Sequence, residues 1–252
     1  MGGPDGGLDG GSMQRAAPAV APAVPSTPAQ HERHERILEA ATEMLTAGGP
    51  DALQMKELSQ RADVSLATLY RYFPAKDHVL LAITLRRYEL ALARVRDEPP
   101  RPGTMRERVT AHLLREFRAE QRERQLTGAL YAAISETIRD YREVIQRIER
   151  AHLLVIGHVA AGGGMLSPTH EAALPVVADV FTAATRRWLA GVSSPPQARF
   201  EIRLGCRLLD LPGEVLAGEL EETGLAVTGP AVTGLTISGL TVAGPAGSSC
   251  PR

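Results

Sequence analysis

The sequence predicts an all-α protein with a helix-turn-helix near its N-terminus and a longer helical region behind it. Three observations carry that reading. From His31 to Leu209 apolar residues recur at helical spacing, and no strand-like alternation competes with them. The stretches are separated by residues that stop or start helices: Gly48-Gly49, Pro74, the run from Asp97 to Gly103, Gly162-Gly163-Gly164, Ser167-Pro168 and Pro195. One separator differs from the others. Asp63-Val64-Ser65 divides two very short helices, and two short helices joined by a three- to four-residue turn form a helix-turn-helix.

The first helix is expected from His31 to about Ala47, with Ile37, Ala41, Met44 and Leu45 as its apolar stripe. His31 and His34 lack the further ligands that a metal would need, so they read as a solvated helix start. Lys56 to Ala62 forms the second helix, with Leu58 and Ala62 on one face. Asp63 tolerates the left-handed backbone of a tight turn. Ser65 caps the next helix, Leu66 to about Phe73. Leu69 and Phe73 face inward, and Ala67, Thr68, Arg71 and Tyr72 face outward. The fourth helix, from Lys76 to about Val95, is apolar around much of its circumference, as suits an element packed by two neighbours.

Five further helices follow: Thr104 to about Arg124, Leu126 to Thr137, Tyr141 to about Ala161, Pro168 to near Gly191, and Pro195 to about Leu209. The domains are therefore placed at 31–96 and 104–211. Residues 1–30 are rich in Gly, Ala and Pro and are expected to be a disordered leader. Residues 212–252 are expected to be a low-complexity tail, with glycine at 224, 229, 234, 239 and 244. Gly, Pro and Thr at this density argue against a membrane span there.

Composition sets bounds. The net charge is −1, and residues 31–96 hold ten Lys or Arg against nine Asp or Glu, so any affinity for nucleic acid has to come from local placement. The two lysines, Lys56 and Lys76, both flank the short-helix pair. Cys206 and Cys250 suggest no disulfide framework, and the first residues lack the pattern of a secretory signal, so a reducing cytoplasm fits.

The small and hydrogen-bonding residues at the start of the second short helix suit a major groove about 12 Å wide. Thr68 can touch base edges or a thymine methyl. Arg71 can reach a guanine or a phosphate, and Tyr70, Tyr72 and Lys76 can hold phosphates. The wording from Ala62 to Ser65, and from Thr68 through Tyr70, Phe73 and Pro74 to Lys76, resembles the DNA-binding domain of the TetR family of one-component repressors. Asp63, Tyr72 and Gln54 stand where the family usually has glycine, often has histidine, and usually has a capping Thr or Ser. Leu53 to Ala82 looks especially like the KstR-like, cholesterol-catabolism subgroup. The DNA-binding set is Gln54, Lys56, Ser65, Leu66, Ala67, Thr68, Tyr70, Arg71, Tyr72 and Lys76.

The resemblance implies a helical regulatory domain and a homodimer on a pseudo-palindromic double-stranded operator. The fourth helix would act as its lever. The last two helices would pair with their copies, with Val176, Val177, Val180, Phe181, Ala184, Trp188, Ile202, Leu204, Cys206 and Leu209 as candidates for that interface. Bundles place ligands between helices, which makes Leu114, Phe117, Tyr131, Ile134, His152, Ile156 and Trp188 candidate walls for a lipophilic effector, a steroid or an acyl-CoA. No cofactor or metal is implied. The chain shows no nucleophile elbow, no HExxH and no P-loop lysine, so an enzyme is not expected. An activator without a small-molecule ligand, or an interaction module that no longer binds DNA, remains as an alternative.

Overall fold

Ten α-helices and one 3-10 turn make up the secondary structure of the described residues, 23–137 and 141–222, in this computed structural model. Helix α1 (Pro28–Ala52) begins earlier than expected. The Thr27 hydroxyl accepts the Gln30 amide at 3.3 Å, and Pro28 stands at the first helical position, where its missing N–H leaves nothing unpaired. The last residues assigned to the leader therefore already form a helical turn. Gly49 breaks α1 at φ 68°, and a side chain there would run into Gln125. Pro50 then starts a separate last turn.

Helices α2 (Met55–Arg61), α3 (Leu66–Tyr72) and α4 (Lys76–Asp97) follow. With α1 they enclose Ile37, Leu38, Met44, Leu45, Leu58, Leu69, Phe73, Val79 and Ile83. Arg86 of α4 reaches Glu39 of α1 at 3.1 Å across the outside of this core.

The second group is α5 (Met105–Arg122), α6 (Arg124–Thr137), α7 (Arg142–Ala161), α8 (Pro168–Leu189), α9 (Pro195–Gly205), the 3-10 turn Cys206–Asp210 and α10 (Gly213–Glu222). Helix α5 opens with a full capping box. Thr104 Oγ1 accepts the Glu107 amide at 3.2 Å, and Glu107 accepts the Thr104 amide at 2.9 Å. Helix α7 ends at Gly162, which is left-handed at φ 57°. Arg108 lies over that end and donates to the carbonyls of Val159 and Ala160. A Cβ on Gly162 would strike its guanidinium, so the glycine serves packing.

Helix α10 corrects the expected tail. Gly213–Glu222 is helical, docks against α8, and packs Leu216 on the core of this group. The glycine-periodic stretch beyond it, from Thr223, lies outside the described residues, as do residues 1–22.

The break at 97–103 does not separate two cores. Leu126, Ala129, Leu130 and Ala133 of α6 belong to the buried cluster of α1–α4. Helix α4 lies along α7 and shares a smaller cluster with it, Leu81 with Ile145 and Ile148. Helices α6 and α7 therefore both pack the second group directly against the first.

The expected dimer set divides. Val177, Phe181, Ala184, Trp188, Ile202, Cys206 and Leu209 are buried within the single chain. On α8 the spacing of Val177, Phe181, Ala184 and Trp188 forms one stripe turned to the core, and Ile202 of α9 with Cys206 and Leu209 of the 3-10 turn packs into the same cluster. Val176 and Leu204 remain 49% and 53% exposed, Val180 is half-buried, and Phe200, which was not anticipated, is 58% exposed. A Cβ on Gly205 would approach Val180 at 2.7 Å, so the absent side chain is what lets α9 lie close on α8.

Candidate functional site

The turn before α3 is built from backbone. Asp63 is left-handed at φ 51°, the only non-glycine residue with positive φ among those described. Its amide donates to the Gln60 carbonyl at 3.2 Å, and the Val64 amide donates to the Ser59 carbonyl at 3.0 Å. This pair is a Schellman closure, here with aspartate in the position glycine usually takes. It turns the chain so that Ser65 caps α3: Ser65 Oγ accepts the Thr68 amide at 3.1 Å and donates to Thr68 Oγ1 at 2.8 Å.

Leu69, Tyr72 and Phe73 clamp the back of α3 and are all nearly or fully buried. The His34 ring lies 5.0 Å from Phe73 and edge-on to Tyr72 at 6.0 Å, so this histidine serves packing. Leu66, Ala67, Tyr70 and Arg71 are exposed and Thr68 is half-exposed, on one side of α3. Lys56 and Gln54 are exposed at the start of α2.

Three site expectations need correction or refinement. Tyr72 does not face outward: it is only 3% exposed and carries Arg71 over its ring at 5.5 Å, so it cannot grip a phosphate. With Leu69 inward, the residue three further on lies on the same face of a helix, and the buried side takes it. Gln54 does not cap α2 with its side chain, which instead donates to the Asp51 carbonyl at 3.0 Å. Lys76 donates to the Pro50 carbonyl, pinning the start of α4 to the end of α1, and keeps further donors for a phosphate.

The seven candidate effector walls do not line one space. Leu114, Phe117, Ile156 and Trp188 lie in the large apolar cluster of α5, α7, α8 and α9, with Phe117 edge-on to Trp188 at 5.3 Å. Ile134 joins the small cluster under α4. Tyr131 and His152 belong to a polar node that sequence reasoning missed. There Glu120 is buried and accepts from Thr185 Oγ1 at 3.1 Å and from the Tyr131 hydroxyl at 3.2 Å. Glu116 Oε2 stands 3.6 Å from His112 Nε2 and 3.8 Å from His152 Nε2. Tyr88 of α4 stacks on the His152 ring at 4.6 Å.

Burial sets the charges of this node. It lifts the Glu116 carboxyl well above the usual range, helped by the charge of Glu120 and opposed by Arg87. It also lifts Glu120, against the hydrogen bonds from Thr185 and Tyr131. His152 is pushed down to about 3 and His112 to about 4, again chiefly by burial. The signal for this node was present in the chain: His112, Glu116 and Glu120 repeat every four residues, beside the apolar repeat Val109, Leu113, Phe117. An open cleft of about 400 Å³ lies elsewhere, between Pro50 of α1, Arg124, Gln125, Gly128 and Ala129 of α6, and Leu189.

Comparison with known proteins agrees with this arrangement. The profile of bacterial regulatory proteins of the tetR family matches residues 37–83. The transcriptional repressor KstR of Rhodococcus jostii RHA1 is 32% identical over 186 residues, covering 73% of this chain and 85% of that protein. A TetR transcriptional regulator from Rhodococcus sp. RHA1 shares the fold with a TM-score of 0.64 at 28% identity, over 72% of this chain and 97% of that one. FadR of Thermus thermophilus, a TetR-family repressor solved with lauroyl-CoA, has a TM-score of 0.54 at 21% identity, over 70% of this chain and 92% of that one. The chain belongs to the TetR family of bacterial regulatory proteins.

Proposed function

We propose that this protein is a homodimeric transcriptional repressor that reads a pseudo-palindromic DNA operator through α3 and is released by a lipophilic small molecule. The observation that carries the proposal is the two-sidedness of α3. Leu69, Tyr72 and Phe73 fix it from behind, and Leu66, Ala67, Thr68, Tyr70 and Arg71 are left for the groove. A dimer would set two such helices in successive major grooves, about 34–36 Å apart. Exposed Val176, Phe200 and Leu204 on α8 and α9 offer the apolar patch for pairing with a second copy.

The effector acts through α4. This helix begins beside the groove-reading surface, where Lys76 holds Pro50, and further along it carries Tyr88 against His152 and Arg87 against Glu123 at 3.0 Å. A ligand that parts α5, α7 and α8 shifts α4 and with it the spacing of the two copies of α3. A coupling of about 1–3 kcal/mol is the usual scale for such a release. The apolar walls Leu114, Phe117, Ile156 and Trp188 suit a steroid or the acyl part of an acyl-CoA. Among the described residues, no helix is long and apolar enough to cross a membrane.

Selection of random duplex DNA with the purified protein, read by sequencing, tests the proposal. An inverted repeat is the expected product. Recovery of nothing above a salt-sensitive background would overturn it.

A further inference from the structure

Within the regulatory helices, one nitrogen stands out. His152 is 6% exposed, and its Nε2 is buried with no hydrogen-bond partner among the described residues. Leaving such an atom unpaired costs about 1–3 kcal/mol, so it calls for an occupant. The ring cannot swing away to find one, because Tyr88 stacks on it at 4.6 Å and Phe181 lies 5.8 Å off. Glu116 Oε2 stands 3.8 Å away, beyond hydrogen-bond reach but close enough for one bridging atom to bond both. Glu120 is not free to serve in the same way, since Thr185 and Tyr131 already donate to it.

We propose that Glu116 and His152 together read an uncharged oxygen, a hydroxyl or ketone, on the effector. The inference rests on the ligand-responsive reading above and names the chemistry of its polar contact. A hydroxyl both donates and accepts, which matches a carboxyl facing an imidazole nitrogen. Charged groups fit poorly. Burial in this node opposes the ionised form of Glu116, Glu120 and His152 alike, and the same desolvation would oppose an ionised ligand group of either sign. Burial holds Glu116 toward its protonated form and His152 neutral, so the pair itself carries little charge near pH 7. The apolar remainder of the ligand would lie toward Phe117 and Trp188. Because Tyr88 belongs to α4, an oxygen seated at His152 would press on the helix that begins beside the DNA-reading surface.

The test uses three probes of equal tail length: 1-dodecanol, dodecanoic acid and dodecylamine. Trp188, the single tryptophan of the chain, reports binding by its fluorescence. The full-length protein is expected to bind the alcohol at least tenfold tighter than the acid or the amine. Glu116→Leu should lose that preference, and Glu116→Gln, uncharged and still hydrogen-bonding, should keep it. A tighter acid or amine, a preference untouched by Glu116→Leu, or no binding of any probe would overturn the proposal. Binding of the same preparation to its selected duplex, measured in parallel without probe, keeps this result separate from the repressor reading. That reading falls only if the duplex is not bound.

Discussion

Ser65 Oγ donates to Thr68 Oγ1 at 2.8 Å while accepting the Thr68 amide at 3.1 Å. One residue therefore both caps α3 and orients the Thr68 hydroxyl, the group proposed above to read the groove. The two roles separate by mutation. Ser65→Ala is expected to lower stability by about 1 kcal/mol, the usual cost of losing an N-cap, and also to weaken operator binding. Thr68→Ala keeps the cap and should leave the unfolding free energy within about 0.5 kcal/mol of wild type. Urea titrations of both variants check this.

Asp63 holds the left-handed position of the helix-turn-helix at φ 51°. Asp63→Gly should be at least as stable as wild type, because glycine takes that backbone without steric cost. Asp63→Val should lose about 1 kcal/mol or more, since a β-branched residue suits that region poorly. Thermal melts of the two variants give the comparison.

The buried node makes stability depend on pH. His112 and His152 are held below the ordinary histidine value of 6.5, so they cost the folded state as pH falls through that value. Glu116 and Glu120 are held above the ordinary carboxyl value of 4.5, so folded protein keeps protons that the unfolded chain has lost. Their contribution makes stability fall as pH rises above 4.5. Between 4.5 and 6.5 the two pairs oppose each other, and above 6.5 only the carboxyls remain. Stability should therefore decline from about pH 6.5 to about 8, by up to about 1.4 kcal/mol per pH unit for each carboxyl still protonated only in the folded chain, with Glu120 dropping out near 7 and Glu116 near 8. Glu116→Gln should flatten the decline in melts recorded across that range.

The exposed patch on α8 and α9 predicts the effect of charge there. Leu204→Glu and Phe200→Glu should shift the protein from dimer to monomer in sedimentation velocity without lowering its helical signal. Ile202→Glu, at a position 1% exposed, should unfold it instead.

Local chemistry was the legible part of the sequence. The Asp63 turn, the Ser65 cap, inward Leu69 and Phe73, and the Gly162 stop each depend on a few neighbouring residues, and each stands where the sequence places it. Tyr72 was misplaced because its phenol suggested a surface role, although its spacing from Leu69 already assigned it to the buried face. Tertiary relations were not legible. Nothing local says that α6 packs into the core of α1–α4, or that Glu120 meets Thr185, 65 residues away. The extra helix Gly213–Glu222 was hidden by the glycine-rich composition that follows it.

Lys56 is exposed at the start of α2 and is expected to touch phosphate only. Lys56→Ala should weaken binding uniformly across duplexes and reduce the salt slope by about 1. Titrations at four salt concentrations measure that slope.

The central claim, that the outward face of α3 reads bases, is tested most directly with single base-pair variants of the recovered repeat, titrated with wild type and Thr68→Ala. Wild type is expected to lose about 1–3 kcal/mol at one position in each half-site, and Thr68→Ala to bind all four pairs there nearly equally. The same profile from both proteins at every position would contradict the claim.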